Sequence, residues 1–202
     1  MTSDTEIQII NHASQNPEKF FMVNDFLQLR KKVFFEKLGW TLDTYKDLEF
    51  DQYDTFQTKY VIATENGQVV GGARLLRSDA VSPVSFGGTA YTYMVKDASE
   101  GKLDGLPKGL CFNSPPVSDD VWEITRLCSV SHNTTPNLIM NKCIEFLANE
   151  GASSAIFICT PIGVRYARSK GRVIEEVGPV LENEDGKFQA ISFRIDQGDA
   201  DV

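Results

Sequence analysis

The stretch that decides the fold class is WEITRLCSVSHNTTPNLIMNKCIEFLANEGASSAIFICT, residues 122–160. Its first part, 122–130, has the composition of a strand. A helix over about 135–150 is predicted next, with Thr135 as its N-cap and Pro136 at its first position. The continuous apolar run 155–160 then predicts a strand that is buried on both faces. A strand, a helix and a second strand in this order indicate an α/β protein.

The segments on either side extend this pattern. Apolar residues at helical spacing predict a helix over 23–38 that ends at Gly39, and the turn Glu65-Asn66-Gly67 predicts a β-hairpin. The full prediction is a strand at 6–10, the helix at 23–38, hairpin strands at 59–64 and 68–76, the core at 122–160, a helix at 161–170, and a closing hairpin of 172–180 and 187–194 across Asp185-Gly186. We therefore expect a mixed twisted sheet with helices on both faces, an order compatible with the three-layer architecture of the Gcn5-related acyltransferases.

Residues 77–121 interrupt this order. They are rich in Gly, Ser and Pro, and we predict a long loop there, with one short helix around 93–97. Loops of this length in compact domains are usually functional. We expect residues 1–202 to form a single domain whose acidic tail, about 196–202, is frayed.

The composition excludes several classes of function. The chain has 202 residues, 42% of them hydrophobic, and its 20 basic and 28 acidic residues give a net charge of −8. This charge argues against nucleic-acid binding, and no apolar run approaches the ~20 residues that cross a bilayer. The polar segment 1–7 lacks the features of a secretory signal. Four cysteines without a CxxC pair and two distant histidines indicate no metal site, and we expect thiols in a reducing cytoplasm.

Three groups of residues carry a more specific pattern. The first is Arg30, Phe34 and Trp40, and the second is the acidic set Glu49, Asp51 and Asp54. The third combines Arg74, which ends the motif GGAR, with Glu123 and Arg126 of the motif WEITR. In this order and spacing they resemble the acyl-homoserine-lactone synthases, the LuxI-type autoinducer synthases of bacterial quorum sensing. The resemblance covers residues 30–126, and the strand and helix pattern continues it to the end.

The resemblance implies a two-step reaction with two substrates and no cofactor. The amine of S-adenosylmethionine attacks an acyl thioester, carried by acyl carrier protein or coenzyme A, and forms an amide. The methionine carboxylate then attacks its own γ-carbon and expels methylthioadenosine, so that an acyl-homoserine lactone is released. No Gly-x-Gly-x-x-Gly follows a strand here, which disfavours a Rossmann methyltransferase, and the pyrophosphate loop of ordinary acetyltransferases is absent before Pro136.

Glu123 is the candidate general base for the attacking amine, with Asp51 as its rival and Arg126 beside them. Arg74 lies among apolar strand residues and needs an acidic partner, which Glu49, Asp51 and Asp54 can supply. Glu123 and Arg126 have opposite parity on a regular strand. We therefore predict a bulge or distortion between Trp122 and Cys128.

The remaining candidates each have a structural alternative. Arg30, Phe34 and Trp40 could line the S-adenosylmethionine site, or they could be a solvated charge and core aromatics. Thr160 could contact the acyl chain, since the family associates a Thr or Ser near here with 3-oxo chains, or it could be a helix N-cap. The basic cluster Arg165, Arg168, Lys170 and Arg172 could dock the acyl carrier, or it could be a helix C-terminus.

Two other functions stay open at this point. A related N-acyltransferase would make a linear acyl amino acid without releasing methylthioadenosine. A non-catalytic relative would only bind S-adenosylmethionine, and substitution of Glu123 would then change nothing measurable. The stretch between Arg74 and Glu123 looks longer than is usual for the family, so the residues leave the acyl chain undefined.

Overall fold

The computed structural model describes residues 5–11, 17–81, 88–131 and 134–195. Within this part of the chain the elements are β1 (Glu6–Asn11), α1 (Pro17–Arg30), a π-helical segment (Lys31–Lys37), β2 (Thr44–Tyr45), β3 (Leu48–Glu49), β4 (Lys59–Glu65), β5 (Gln68–Arg77), α2 (Met94–Ser99), β6 (Val121–Ser129), α3 (Thr135–Asn149), β7 (Ser154–Cys159), α4 (Pro161–Ser169), β8 (Glu175–Glu176), β9 (Leu181–Asn183) and β10 (Gly186–Arg194). The predicted α/β class is confirmed. The tail 196–202 lies outside the described residues.

The chain forms two compact units. The first comprises Met1–Leu75 and Ile124–Phe146, and the second comprises Leu76–Glu123 and Leu147–Val202. The two units share β5, β6 and α3, each of which contributes residues to both. A single domain over 1–202 stays a prediction.

Strands β1, β4, β5 and β6 are neighbours in the sheet of the first unit. β1 pairs antiparallel with β4, and β4 forms the predicted hairpin with β5. Its two turn residues, Asn66 and Gly67, both have positive φ, as a type I′ turn requires. The register shifts by one residue between Ala63 and Thr64, so that Tyr60 lies opposite Arg74.

Helices cover both faces of β5 in the first unit. A Cβ on Gly72 would lie 2.7 Å from the Phe26 ring of α1, and a Cβ on Gly71 would lie 2.8 Å from Ile139 Cδ1 of α3. Successive residues of a strand face opposite sides of the sheet, so α1 and α3 lie on opposite faces. The two glycines allow both helices to approach the strand closely.

Helix α1 starts six residues earlier than the predicted 23 and gives way to π-helical turns after Arg30. The N–H of Leu38 donates to the carbonyl of Val33, five residues back, at 3.0 Å. The apolar spacing did predict the buried face, since Phe26, Leu27 and Phe34 are buried in a core with Tyr60. A pattern over seven residues does not distinguish α-helical from π-helical turns, which explains the missed change.

In the second unit, β7 lies between β6 and β10. The first residues of β6 pair in parallel with β7, from Val121 opposite Ser154 to Glu123 opposite Ile156, whereas β10 runs antiparallel to all of β7. The sheet is therefore mixed, as predicted. The short helix predicted at 93–97 is confirmed as α2.

The closing hairpin is present, but its first arm is shorter than predicted. Of residues 172–180, only Glu175 and Glu176 form a strand, and β9 supplies the arm across the Asp185-Gly186 turn. Beyond β8 the chain passes close to the backbone of Leu110, since a Cβ on Gly178 would lie 1.6 Å from the Leu110 carbonyl oxygen. The start of helix α3 also differs from its predicted position by one residue. Helix α3 begins with Thr135 itself, and the carbonyl of Thr134 accepts the first helical hydrogen bonds.

We expect Gly72→Ala to destabilise the protein by about 1–3 kcal/mol, the usual cost of overpacking a core. The added methyl would lie 2.6 Å from the Val61 carbonyl oxygen, and backbone cannot move as easily as a side chain. Urea unfolding measures the change. Gln68→Ala, an exposed position on the same strand, is the control and should stay within about 0.5 kcal/mol of the wild type. Equal stability of both variants would contradict the close packing of α1 on β5.

Candidate active site

Six charged side chains of the first unit form one arginine–carboxylate cluster. The positive charges come from regular elements: Arg30 is the last residue of α1, Arg74 lies in β5 and Arg126 in β6. The negative charges come from one segment, 49–54, which carries Glu49 at the end of β3 followed by Asp51 and Asp54. The structure thus brings together six of the charged residues that the sequence singled out, although the sequence did not predict Arg30 as a partner of the acidic segment.

Arg30 holds two of the three carboxylates. Its Nε donates to Glu49, and its Nη1 and Nη2 donate to the two oxygens of Asp54 at 2.8 and 3.1 Å. The guanidinium also lies over the ring of Phe26, one turn earlier in α1, at 5.9 Å from the centroid. Arg30 is fully buried, so the solvated-charge alternative is wrong.

Arg74 makes a second two-pronged contact, with Asp51 at 2.5 and 3.1 Å. Its Nη1 lies 3.1 Å from Asp54, and its Nε donates to Thr125 Oγ1 at 3.0 Å. The ring of Tyr53 lies 5.4 Å from the guanidinium carbon. The buried arginine therefore has the acidic partners that the sequence predicted for it.

Arg126 joins Glu49 to Asp51, and its backbone is distorted. Its Nη2 donates to Glu49 at 2.8 Å and to Asp51 at 2.9 Å. Its φ is +54°, which a residue with a side chain rarely adopts. The neighbouring Thr125 also contacts the cluster, although adjacent residues of a regular strand face opposite sides. The distortion predicted between Trp122 and Cys128 is confirmed at this position.

Only two of the six side chains reach solvent. Arg126 is 9% and Asp51 10% exposed, whereas the other four are exposed by 1% or less. Burial by itself raises the pKa of the Glu49 carboxyl, but the charges of Arg126 and Arg30 outweigh it and lower that pKa to about 2. Burial likewise opposes the ionisation of Asp54, and Arg30 and Arg74 hold its pKa well below the usual range. The carboxyl groups of Glu49 and Asp54 are therefore ionised at neutral pH.

Two aromatic residues, Phe34 and Trp40, lie on the Arg126 side of the cluster. Phe34 is buried and stacks on Trp40, with 5.1 Å between centroids and 14° between planes. The guanidinium of Arg126 lies 5.8 Å from the Phe34 centroid. Phe34 is therefore enclosed, and the half-buried Trp40 is the member of the pair that presents surface to solvent. Phe34 is part of the core, as the second of its two predicted roles stated.

Glu123 belongs to the second unit. It is fully buried, and its two carboxylate oxygens accept the backbone N–H groups of Met94 at 3.1 Å and Val95 at 2.7 Å. Its negative charge is thus held at the start of α2. The general-base role of Glu123 stays a prediction.

Thr160 and the basic cluster also lie in the second unit. Thr160 Oγ1 accepts the N–H of Gly163 at 3.2 Å, which is the N-cap that one alternative predicted. Arg168 donates to Glu176 at 2.8 Å, and Arg172 is half-buried. Arg165, in the middle of α4, and Lys170, directly after its last residue, are exposed, and the ammonium of Lys170 lies 5.5 Å from the Tyr166 ring.

Sequence reasoning missed the neutral partners of the cluster. The Tyr60 hydroxyl donates to Asp54 at 2.9 Å, and Thr125 accepts from Arg74. The hairpin contained a signal for Tyr60, because residues opposite each other on paired strands share a face. Reading it required the register shift at Ala63, which the sequence does not indicate.

Two absences complete the description. Among the described residues, no group of three His, Cys, Asp or Glu side chains is arranged to hold a metal ion. In the same part of the chain, no helix has the length and apolar character needed to span a bilayer. All four cysteines are thiols rather than disulfides.

Comparison with known structures defines the class as an acyltransferase-type α/β fold. The acyl-homoserine-lactone synthase BjaI with MTA matches with a TM-score of 0.78 and 22% identity, over 98% of this chain and 87% of that one. TofI with an inhibitor and MTA matches with a TM-score of 0.75 and 23% identity, over 98% and 97%. An acyl-CoA N-acyltransferase from Pseudomonas aeruginosa shares the fold more distantly, with a TM-score of 0.58 and 14% identity over 94% and 99%.

Sequence comparison gives the family. The family model described as Autoinducer synthase matches residues 14–178. The acyl-homoserine-lactone synthase of Pseudomonas aeruginosa is 31% identical over 181 residues, which are 85% of this chain and 79% of the relative. That of Acinetobacter nosocomialis is 28% identical over 79% of this chain and 85% of the relative. The chain belongs to the autoinducer synthase family, whose curated members are acyltransferases.

The cluster makes stability depend on acidic pH. The pKa of Glu49 is depressed in the folded state, so its contribution is complete above its ordinary pKa near 4.5 and is lost as the pH falls toward 2. We expect Glu49→Gln to cost about 3–5 kcal/mol at pH 7, because it leaves Arg30 and Arg126 undercompensated. The difference from the wild type should shrink steadily between pH 4.5 and 2, as urea unfolding at each pH would measure.

Glu182→Gln is the matched control. Glu182 is exposed and lies 3.6 Å from Lys187, an arrangement worth less than about 1 kcal/mol. A Glu49→Gln gap that stayed constant down to pH 2 would contradict the lowered pKa of Glu49.

Proposed function

We propose that this chain is an acyl-homoserine-lactone synthase, which acylates the amine of S-adenosylmethionine and then releases methylthioadenosine as the lactone closes. The observation that carries the proposal is the solvent edge of the arginine–carboxylate cluster, where Asp51 and Arg126 meet solvent near an aromatic stack. Support comes from curated relatives named for this activity and from BjaI, which was solved with MTA and with SAM and isopentyl-CoA.

The edge can bind the methionine part of the substrate. S-adenosylmethionine carries an ammonium and a carboxylate on one carbon, and Asp51 and Arg126 offer opposite charges 2.9 Å apart. We assign the substrate carboxylate to Arg126, whose guanidinium suits a carboxylate, and the ammonium to Asp51. The four buried members do not touch the substrate; they fix the position of these two.

Trp40 can bind the cationic sulfur and the adenine. A sulfonium is attracted to the face of an aromatic ring, and Trp is the strongest such ring. Phe34 supports the indole from behind and is itself covered by Arg126. The aromatic surface therefore lies beside the charged edge. In S-adenosylmethionine the sulfonium and the adenine likewise follow the amino and carboxylate groups along the molecule.

The first chemical step forms the amide. The substrate nitrogen attacks the thioester carbon, the thiolate leaves, and a carboxylate accepts the amine proton directly or through water. We assign this proton to Glu123. The rival Asp51 is bound by the guanidiniums of Arg74 and Arg126, and in our assignment it holds the substrate ammonium. Glu123 accepts from neutral backbone amides instead.

The second step closes the lactone. An oxygen of the methionine carboxylate attacks the γ-carbon, the bond from that carbon to sulfur breaks, and neutral methylthioadenosine leaves. The sulfonium itself is the electron acceptor, so the step needs no added reagent. Arg126, bound to the other carboxylate oxygen, would orient this attack.

The acyl group is delivered by a carrier whose acidic surface we place against Arg165 and Lys170. Both are exposed, and they stand out in a chain of net charge −8. Arg168 is occupied by Glu176. We therefore restrict the predicted docking role to Arg165 and Lys170 and propose acyl carrier protein as the partner.

Thr160, at the start of helix α4, is the proposed contact of the acyl chain. Four thiols support a cytoplasmic location for the enzyme.

The activity is tested by incubating the purified protein with S-adenosylmethionine and a panel of acyl carriers. We expect methylthioadenosine release and a lactone whose mass identifies the acyl group. Glu123→Gln should lower kcat by about 100-fold or more, with the KM for S-adenosylmethionine nearly unchanged. Arg126→Lys should raise that KM by about tenfold and lower kcat as well, because an ammonium replaces the planar guanidinium that binds the substrate carboxylate and orients its attack.

Glu182→Gln, on the exposed hairpin, is the control and should match the wild type. An acylated product without methylthioadenosine would identify the linear acyl amino acid enzyme. Binding of S-adenosylmethionine by calorimetry without turnover on any carrier would overturn the proposed activity in favour of a binding protein.

The carrier surface is tested by charge reversal. Arg165→Glu and Lys170→Glu should each raise the KM for acyl carrier protein by about tenfold at low salt, with the KM for S-adenosylmethionine unchanged. The effect should diminish as salt screens the charges. Lys187→Glu, which reverses an exposed charge on β10, is the control. Equal carrier KM values for all three variants would remove α4 from the docking surface.

A further inference from the structure

The long segment 77–121 supplies the groups that hold Glu123. The carboxylate accepts one N–H from Met94 and one from Val95, so each oxygen has a fixed backbone donor. The orientation of the carboxylate therefore depends on where residues 94 and 95 lie. These residues begin a helix of only six residues, which by its own length is not stable in isolation. Contacts outside the helix must fix its position.

Tyr93 provides the first such contact. It precedes Met94 directly and is fully buried, and its hydroxyl donates to the carbonyl of Pro116 at 2.5 Å. This bond joins the two ends of a 23-residue excursion. Burial, followed by the charge of Glu123, raises the pKa of the Tyr93 phenol, so the hydroxyl stays a protonated donor.

Asp97 provides the second contact. It is fully buried, and it accepts the N–H of Thr92 at 2.8 Å and the Thr92 hydroxyl at 3.1 Å. The ammonium of Lys102 donates to the same carboxylate and to the Ala90 carbonyl, both at 3.1 Å. Asp97 thus fixes the chain immediately before and after the amides that hold Glu123.

We propose that Tyr93 and Asp97 are positioning residues that fix the Met94 and Val95 amides and through them the Glu123 carboxylate. The proposal deepens the proposed function and rests on the role of Glu123 in it. It gives the long segment a defined task, the orientation of the catalytic carboxylate. No contact of the two residues with substrate is involved.

The kinetic test uses Tyr93→Phe and Asp97→Asn, which keep the size of each side chain. Each should lower kcat by about tenfold while the KM for S-adenosylmethionine changes by less than about twofold. A role in stability alone would lower Tm and leave kcat unchanged at temperatures well below Tm.

Tyr45→Phe is the matched control, since it removes a tyrosine hydroxyl from an exposed side chain. It should leave kcat, the KM for S-adenosylmethionine and Tm unchanged. Tyr93→Phe and Asp97→Asn enzymes that match the wild type in kcat would overturn the proposal.

A readout without turnover separates this proposal from the proposed function. Hydrogen exchange of the peptide that contains residues 94 and 95 should be faster in Tyr93→Phe, in Asp97→Asn and in Glu123→Gln than in the wild type. Faster exchange in a protein that releases no methylthioadenosine would establish the support and overturn the function, and with it the catalytic meaning of the support. Unchanged exchange in an active enzyme would overturn the support alone.

Discussion

The arginine–carboxylate cluster is the constraint on which the first unit depends. Segment 49–54 contains almost no regular structure, and its conformation follows from three arginines that helix α1 and strands β5 and β6 hold in place. Moving a charge into the protein interior costs several kcal/mol, and only complete pairing offsets it. Three positive and three negative charges meet this condition together. Loss of one member leaves an opposite charge buried without full compensation.

The backbone at Arg126 shows what this pairing costs. A positive φ in a residue with a side chain costs roughly 1–2 kcal/mol. In return, Thr125 and Arg126 reach the same cluster from adjacent positions, which a regular strand forbids. The strain is therefore offset by hydrogen bonds to Glu49 and Asp51. The Arg126 side chain keeps 9% of its surface exposed, and the proposed function uses this edge for a substrate carboxylate.

The sequence predicted the elements and the charged partners better than it predicted their geometry. The opposite parity of Glu123 and Arg126 along one strand was enough to predict a distortion near Arg126, because both residues were candidates for the same site. The Asn66-Gly67 turn was also predictable, since few residues adopt its backbone conformation. The register shift at Ala63 and the π-helical turns after Arg30 were not. Neither a one-residue register shift nor a short run of π-helical turns changes the apolar pattern enough to be recognised in the sequence.

Most of the candidate charged residues are neighbours in the structure. Their separate roles could be assigned only from how deeply each side chain is buried. Arg30 and Arg126 have the same side chain, and only exposure separates the one that supports the site from the one that can bind a ligand. Likewise, Glu123 was identified as a carboxylate of interest, whereas its two backbone donors lie about 28 residues earlier in the chain. A loop composition does not specify such long-range partners.

The neutrality of the cluster also constrains recognition. Because its six charges cancel, the proposed binding of S-adenosylmethionine depends on two local groups rather than on net charge. Long-range attraction must come from the whole chain, whose −8 charge favours a substrate with a net positive charge. The same field repels an acidic acyl carrier, so the carrier needs a local region of opposite sign. Arg165 and Lys170 provide one in the second unit. One acidic protein can thus attract a cationic and an anionic partner, provided that the cationic one is small and the anionic one meets exposed basic residues.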